Sequence, residues 1–84
     1  MRLAPFIILQ KNRDGSGILL NPASYRGITL NRTGSFICSA LEREVEIAAV
    51  ITAFAAEFQV ETVVAERDVK AFVKLLQEKG LVRG

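Results

Sequence analysis

The change from strand to helix that organises this chain lies in residues 25–41, which read YRGITLNRTGSFICSAL. The first six of these residues predict a β-strand, the third of the chain, with Ile28 and Leu30 on one face. Gly27 leaves the middle of this strand without a side chain. A strand glycine ordinarily indicates a bulge or simple tolerance, and the alternative is that another backbone approaches closely at that position.

A first helix is predicted to follow at once, over residues 32–41. From Ile37 to Leu41 the apolar residues have the spacing of a helix, whereas apolar and polar residues alternate in the strand before them. Asn31 or Thr33 offers a side-chain oxygen to the free N–H groups of the first helical turn. The stretch therefore joins an extended segment directly to a helix start, with no catalytic side chain nearby.

Two further strands are predicted before this stretch. Residues 5–10 (PFIILQ) and 17–21 (GILLN) are apolar runs separated by KNRDGSG, whose Asn, Asp and Gly residues suit a hairpin loop. A second turn, NPAS, has Pro22 at a position where its fixed φ favours a turn. The N-terminal part of the chain is therefore predicted to form a three-stranded antiparallel sheet.

Two more helices are predicted after residue 41. The second, over residues 43–57, has apolar residues from Ile47 to Phe58 at helical spacing, and the third, over residues 65–79, ends before Gly80. The predicted fold class is α+β, with the three-stranded sheet followed by three helices. We expect residues 1–84 to form a single domain, because so short a chain supports one modest core.

Composition excludes most of the chemistry that a small domain performs. The chain has one cysteine, Cys38, and no histidine, so Cys/His metal sites and Cys–His nucleophile pairs are excluded. Glu42, Glu44 and Glu46 are expected at a solvated helix start, with a structural role. We predict no catalytic residue, no metal and no cofactor. No apolar run is long enough for a signal peptide or a membrane span, so a cytoplasmic location without membrane contact is expected.

The third helix has a basic edge. Arg67, Lys70 and Lys74 follow one another along one side of its apolar stripe, while Ala71 and Leu75 add apolar surface beyond what a core needs. One interpretation is a solvated face. The other is the wall of a groove that attracts an acidic ligand, and the two are compatible.

A winged helix-turn-helix that binds DNA through this third helix is an alternative. Glu66 and Asp68 interrupt its cations, and the net charge of the chain is only +2. Readers of duplex DNA usually combine a strongly basic face with side chains aimed at base edges. Nucleic acid is therefore the less favoured partner.

Three stretches together resemble the PqqD-like family, and they cover nearly the whole chain: ILLNPASYRGITLNRTGSFICSAL, VEIAAVITAFAAEFQV and ERDVKAFVKLLQEKGLV. The family is the RiPP recognition element, a winged helix-turn-helix fold with an N-terminal three-stranded sheet that binds the leader segment of a ribosomally made precursor peptide. Its recurring pattern, LN.TG..I and later D V..F..L...GL, is matched by Leu30, Asn31, Thr33, Gly34, Ile37, Asp68, Val69, Phe72, Leu76, Gly80 and Leu81.

Some positions depart from the family pattern. Cys38 stands where many members have Trp, and EREV replaces a Gly-containing turn between the first two helices. The segment NPASYRGITLN resembles the short, free-standing recognition proteins of lasso-peptide clusters more than the quinone-cofactor member. The resemblance therefore favours the lasso type, and a PqqD-type chaperone of quinone-cofactor biosynthesis is an alternative.

The resemblance implies a site and a set of partners. If the third strand is a sheet edge, a leader peptide can add to it as a fourth strand, with the third helix as the other wall of a groove. The predicted peptide-binding residues are Tyr25, Arg26, Gly27, Ile28, Thr29 and Leu30 on the strand, and Arg67, Lys70, Ala71, Lys74 and Leu75 on the helix. A leader-cleaving cysteine protease and an ATP-dependent macrolactam cyclase are the implied partners. A structural subunit of a larger enzyme is a further alternative.

Overall fold

The three predicted strands and three predicted helices follow one another in the expected order, with one extra short strand near each end of the chain. The computed structural model describes residues 1–83, so Gly84 of the expected single domain lies outside it. The elements are β1 (Arg2–Leu3), β2 (Ile8–Lys11), β3 (Gly17–Asn21), β4 (Arg26–Leu30), α1 (Arg32–Glu42), α2 (Ile47–Phe58), α3 (Thr62–Glu78) and β5 (Val82–Arg83). The α+β fold class is confirmed.

The three-stranded sheet is antiparallel in the order β2–β3–β4, so β4 is one of its edges. Leu19 of β3 lies opposite Leu9 of β2 and Ile28 of β4, and these side chains face the helices. The predicted first strand begins three residues late, because Pro5 and Phe6 form a turn in which Phe6 has a φ of 69°. Alternation along the strands therefore packs one face of the sheet against the helical half.

The first helix begins where the sequence predicted. The Asn31 side chain accepts a hydrogen bond from the backbone N–H of Gly34 at 2.9 Å, so Asn31 is the N-cap. The helix follows β4 with a single residue between them. The open edge of the sheet and the first turn of α1 are therefore fixed relative to each other.

The second helix begins at Ile47, and its predicted start at residue 43 is wrong. Residues 43–46 form a turn in which Glu44 has a φ of 58° and the backbone N–H of Val45 bonds to the carbonyl of Ala40. A non-glycine residue in a left-handed conformation leaves no glycine signal in the sequence. The turn was therefore mistaken for helix.

The third helix begins three residues earlier than predicted, at Thr62. Gln59 ends α2 in a left-handed conformation, and Glu61 is the N-cap of α3. Val63 and Val64, which the sequence suggested as a β-branched bridge, lie in the first turn of the helix. Helical packing overrides their local preference for strand.

A short antiparallel pair of β1 and β5 joins the two ends of the described chain, with Leu3 opposite Val82. One contiguous core connects the sheet to all three helices, and its fully buried side chains include Leu19, Ile37, Leu41, Val50, Val69 and Leu76. Within residues 1–83, no single helix is both long enough and apolar enough to cross a bilayer. The pair of α2 and α3 meets the length and composition requirements only when the two helices are taken together, and they are bent by 119° relative to each other.

Candidate functional site

The free edge of β4 offers backbone hydrogen-bonding groups at every second residue. Across the β2–β3 hairpin, the N–H of Asn12 bonds to the carbonyl of Ser16 at 2.8 Å, so the next pair along the strands does not exchange hydrogen bonds. Continuing this alternation, Ile18 and Leu20 bond to β2. Residues 17, 19 and 21 of β3 are therefore the ones that bond to β4.

The same alternation assigns the backbone groups of β4. Arg26, Ile28 and Leu30 lie opposite residues 21, 19 and 17 of β3. Their backbone N–H and C=O groups therefore bond to β3, inside the sheet. Gly27 and Thr29 point their N–H and C=O groups away from β3. These two residues form the open edge on which a further strand could pair.

A cavity of about 620 Å³ lies beside the end of β4, between the strand and α3. Leu30, Ile37, Phe54, Phe72 and Leu75 make it largely apolar. Its complete lining is Thr29, Leu30, Asn31, Thr33, Ile37, Phe54, Asp68, Ala71, Phe72 and Leu75. The open edge therefore has an apolar depression next to it.

A second cavity, of about 380 Å³, lies beside the first half of β4. It is lined by Leu19, Asn21, Ser24, Arg26, Gly27, Ile28, Lys79 and Leu81. Because Lys79 follows the last turn of α3 and Asp68 lies in its first half, β4 and α3 run in opposite directions along the two cavities. We call the two cavities together the β4–α3 groove.

The structure brings most of the predicted strand and helix residues to this groove. Thr29, Leu30, Ala71 and Leu75 line its larger cavity. Arg26, Gly27 and Ile28 line the smaller one. Tyr25 lines neither cavity, and its side chain is 97% exposed in the turn before β4.

The predicted basic edge of α3 lies outside the lining of the groove. At 100° per residue, Arg67 and Lys74 are rotated by roughly 90° to 110° from the mean direction of the lining residues, and Lys70 by about 150°. Arg67 pairs with Asp68 and Lys70 with Glu66, each at 3.4 Å. The cations that line the groove are instead Arg26 and Lys79.

Sequence reasoning missed several lining residues because they were assigned to the core. Phe54 and Phe72 belong to the apolar stripes of their helices, yet both also line the larger cavity. Phe72 is only half-buried, which the stripe pattern does not reveal. Lys79 was missed because it follows the apolar stripe, at the end of the helix.

Gly27 has a packing reason for lacking a side chain. A Cβ atom at this position would lie 2.8 Å from Cδ2 of Leu20, which leans across β4 from the neighbouring strand. The flexible end of Leu20 can yield, but the same Cβ atom would also lie 3.3 Å from the backbone carbonyl oxygen of Leu19, which is less free to move. The interpretation that a ligand backbone approaches Gly27 stays a prediction, since β3 already crowds this position.

The groups with acid–base or nucleophilic chemistry do not converge on this groove. Cys38 is buried in the core, and that burial, reinforced by Glu42, raises the pKa of its thiol to about 12. Glu42 ends α1 and Glu44 lies in the turn, so of the three carboxylates predicted at a helix start only Glu46 occupies one. Within residues 1–83 no cluster of His, Cys, Asp and Glu side chains fits a metal ion.

Comparison with known proteins agrees with the fold. A family model described as Coenzyme PQQ synthesis protein D (PqqD) matches residues 16–82. The chain belongs to the PqqD family. This membership confirms the predicted resemblance to PqqD-like recognition elements, and the matched residues include all of β3, β4 and the three helices.

Two solved structures of leader-peptide complexes are similar to this PqqD-family chain. One is described as TbiB1 in complex with the TbiA(beta) leader peptide, with a TM-score of 0.90 and 27% identity over 100% of this chain and 96% of that chain. The other is a lasso peptide synthetase B1 complexed with the leader peptide, with a TM-score of 0.83 and 32% identity over 99% and 96%. No match was found among curated protein sequences.

Proposed function

We propose that this chain is a non-catalytic recognition protein that binds the leader segment of a ribosomally synthesised precursor peptide, of the lasso type. The observation that carries the proposal is the open edge of β4 beside the β4–α3 groove. The two similar structures support it, because both are described as complexes with a leader peptide.

Strand addition accounts for how such a peptide is held. Gly27 and Thr29 each offer one outward N–H and one outward C=O, and each net hydrogen bond contributes about 0.5–1.5 kcal/mol. Ordering an extended peptide offsets much of this gain. Side-chain anchors in the apolar cavity beside Leu30, Phe72 and Leu75 therefore provide the remaining affinity and the selectivity.

Delivery is the consequence of holding the leader. A bound leader keeps the rest of the precursor peptide near any enzyme that associates with the same recognition protein, which raises its local concentration there. We infer that the enzymes are a leader-cleaving cysteine protease and an ATP-dependent macrolactam cyclase, acting in the cytoplasm. In this scheme the chain contributes recognition and the partner enzymes contribute the chemistry.

A direct titration tests the proposal. Labelled lasso leader peptide should bind with micromolar or tighter affinity, while a scrambled peptide of the same composition should bind at least about tenfold more weakly. Labelled duplex DNA tests the winged-helix alternative. The precursor peptide of PQQ biosynthesis, used as a competitor, tests the quinone-cofactor alternative. Preferential binding of DNA, or of the PQQ precursor, contradicts the lasso assignment.

A further inference from the structure

A third cavity lies on a different face of the molecule from the β4–α3 groove. It has a volume of about 290 Å³ and is enclosed by the β2–β3 hairpin, α1 and the end of α2. Its lining includes Lys11, Arg32, Arg43, Glu57, Phe36 and Phe58. We call this the α1–α2 cavity.

Positive charge dominates the rim of the α1–α2 cavity. Lys11, Arg32 and Arg43 surround it, with Glu57 as the one carboxylate in its lining. The ion pairs within residues 1–83 join Arg2 to Glu44, Arg67 to Asp68 and Lys70 to Glu66. None of them involves the rim cations. Hydrogen bonds from Ser16, with a smaller contribution from Arg32, hold the pKa of Asp14 below its usual value, so Arg32 already has a carboxylate nearby. The rim therefore offers Lys11 and Arg43 in full, and Arg32 in part, to an incoming anionic group.

Two of these cations contact neighbouring residues. The Nζ of Lys11 donates a hydrogen bond to Oγ of Ser39 at 3.4 Å. Arg32 lies against the hairpin loop, since a Cβ atom on Gly15 would be 3.1 Å from its Cγ and 3.2 Å from its Nε. Side chains that are already positioned lose less conformational freedom when they bind a partner.

The cavity also has an aromatic floor. The rings of Phe36 and Phe58 pack edge to face with centroids 5.4 Å apart, and both side chains are only half-buried. Phe36 also meets Phe54 of the core, which supports the floor from below. Aromatic and Arg side chains together are the types that concentrate binding energy at protein–protein interfaces.

The α1–α2 cavity and the β4–α3 groove lie on different sides of α1. At 100° per residue, Thr33 and Ile37, which line the groove, are about 120° around the helix from the mean direction of Ser35, Ser39 and the other α1 residues of this cavity. A ligand in one site therefore does not occupy the other. A protein that delivers a bound peptide needs such a second surface.

We propose that the α1–α2 cavity docks an acidic segment of a partner enzyme that acts on the bound precursor peptide. The segment combines carboxylates, which meet the cationic rim, with one apolar side chain, which meets the floor of Phe36 and Phe58. The aromatic floor favours a protein over a nucleic-acid backbone, because a phosphate chain gains nothing from it. The inference rests on the proposed function, since it assigns the surface used for delivery.

Charge reversal on two faces tests the proposal. The double variant Lys11→Glu with Arg43→Glu reverses two rim cations, and the control Lys70→Glu with Lys74→Glu makes the same change in net charge on α3. The probes are the intact leader protease and the intact cyclase of the same pathway. We expect the rim variant to lose at least about tenfold in affinity for one of these enzymes while the control changes by less than about threefold.

Leader titration of the same samples separates the possible failures. The rim variant should bind leader peptide within about twofold of the wild type, which also shows that it is folded. Equal losses of enzyme affinity in both variants, or none in either, overturn the docking proposal. The docking proposal is also overturned if the wild type binds leader but neither enzyme. It is overturned as well if the rim variant loses binding to duplex DNA and to neither enzyme. A wild type that binds no leader overturns the proposed function itself.

Discussion

The sheet has two open edges, and their difference shows what turns an edge into a binding site. The backbone N–H and C=O groups of Gly27 and Thr29 in β4 point away from the sheet. The same alternation of hydrogen bonds makes the backbone groups of Leu9 and Lys11 in β2 point outward as well. Both edges therefore offer the same hydrogen bonds. They differ in what lies beside them.

The two edges differ in the helix that lies beside them. β4 has the apolar wall of α3 next to it, with Leu75 43% exposed and Phe72 half-buried. β2 carries Lys11, whose charge is tied to Ser39 on α1, and a charged residue at a strand edge discourages pairing. A peptide that adds to β4 covers the exposed apolar wall of α3, whereas a peptide that adds to β2 lies beside Lys11 and the α1–α2 cavity.

The largest expected effect comes from placing proline on each edge in turn. Thr29→Pro removes an outward N–H without breaking a bond inside the sheet, because proline is tolerated at edge positions of this kind. A peptide carbonyl then stays unpaired, which costs about 1–3 kcal/mol, or about 5- to 150-fold in leader affinity. The matched change Lys11→Pro on β2 should leave leader affinity within about twofold, as measured by peptide titration.

If the two proline variants lost leader affinity equally, the leader would not distinguish the β4 edge from the β2 edge. Loss of the folded state in Thr29→Pro, seen by circular dichroism, would contradict the outward assignment of its N–H. Either result breaks the comparison between the two edges.

A smaller effect is expected from the wall of the groove. Leu75→Ala removes apolar surface that a bound peptide covers, and we expect a loss of about 1 kcal/mol, or roughly fivefold in leader affinity. Val63→Ala, on the same helix and 70% exposed, is the control because Val63 does not line the groove. Calorimetric titration of both variants measures the difference. Equal affinities for the two variants would remove α3 as a wall.

The smallest effect is expected from charge. Reversing Arg26 and Lys79, which line the groove, should slow association of a negatively charged leader about threefold at low salt and by less at high salt. Reversing Lys70 and Lys74 should have a weaker effect, because these residues are turned away from the groove. Stopped-flow association rates of the two double variants check this order, and the reverse order would restore the predicted basic edge.

The sequence predicted the features that depend on local chemistry. The alternation around Ile28 and Leu30 located the strand, and the two predicted cap candidates, Asn31 and Thr33, include the observed cap, Asn31. It did not predict the turn at Glu44, which uses a left-handed residue other than glycine. Boundaries of this kind depend on tertiary packing, which sequence patterns do not contain.

The candidate site was predictable in outline and not in its electrostatics. The end of the predicted strand and the apolar residues Ala71 and Leu75 line one cavity. A period of 3.6 residues puts Ala71 and Leu75 on one face of α3. The charged lining was not predicted, since Lys79 lies beyond the predicted edge and Lys70 is turned away from the groove. Which cation faces a groove depends on how the helix is rotated against the sheet.

Amide hydrogen exchange with and without leader peptide tests strand addition to β4 most directly. The account predicts that the amides of Gly27 and Thr29 exchange fast in the free protein and slow markedly when leader is added. Arg26, Ile28 and Leu30 should change less, because β3 already protects them. Leader that binds tightly yet leaves Gly27 and Thr29 exchanging as fast as in the free protein would contradict strand addition.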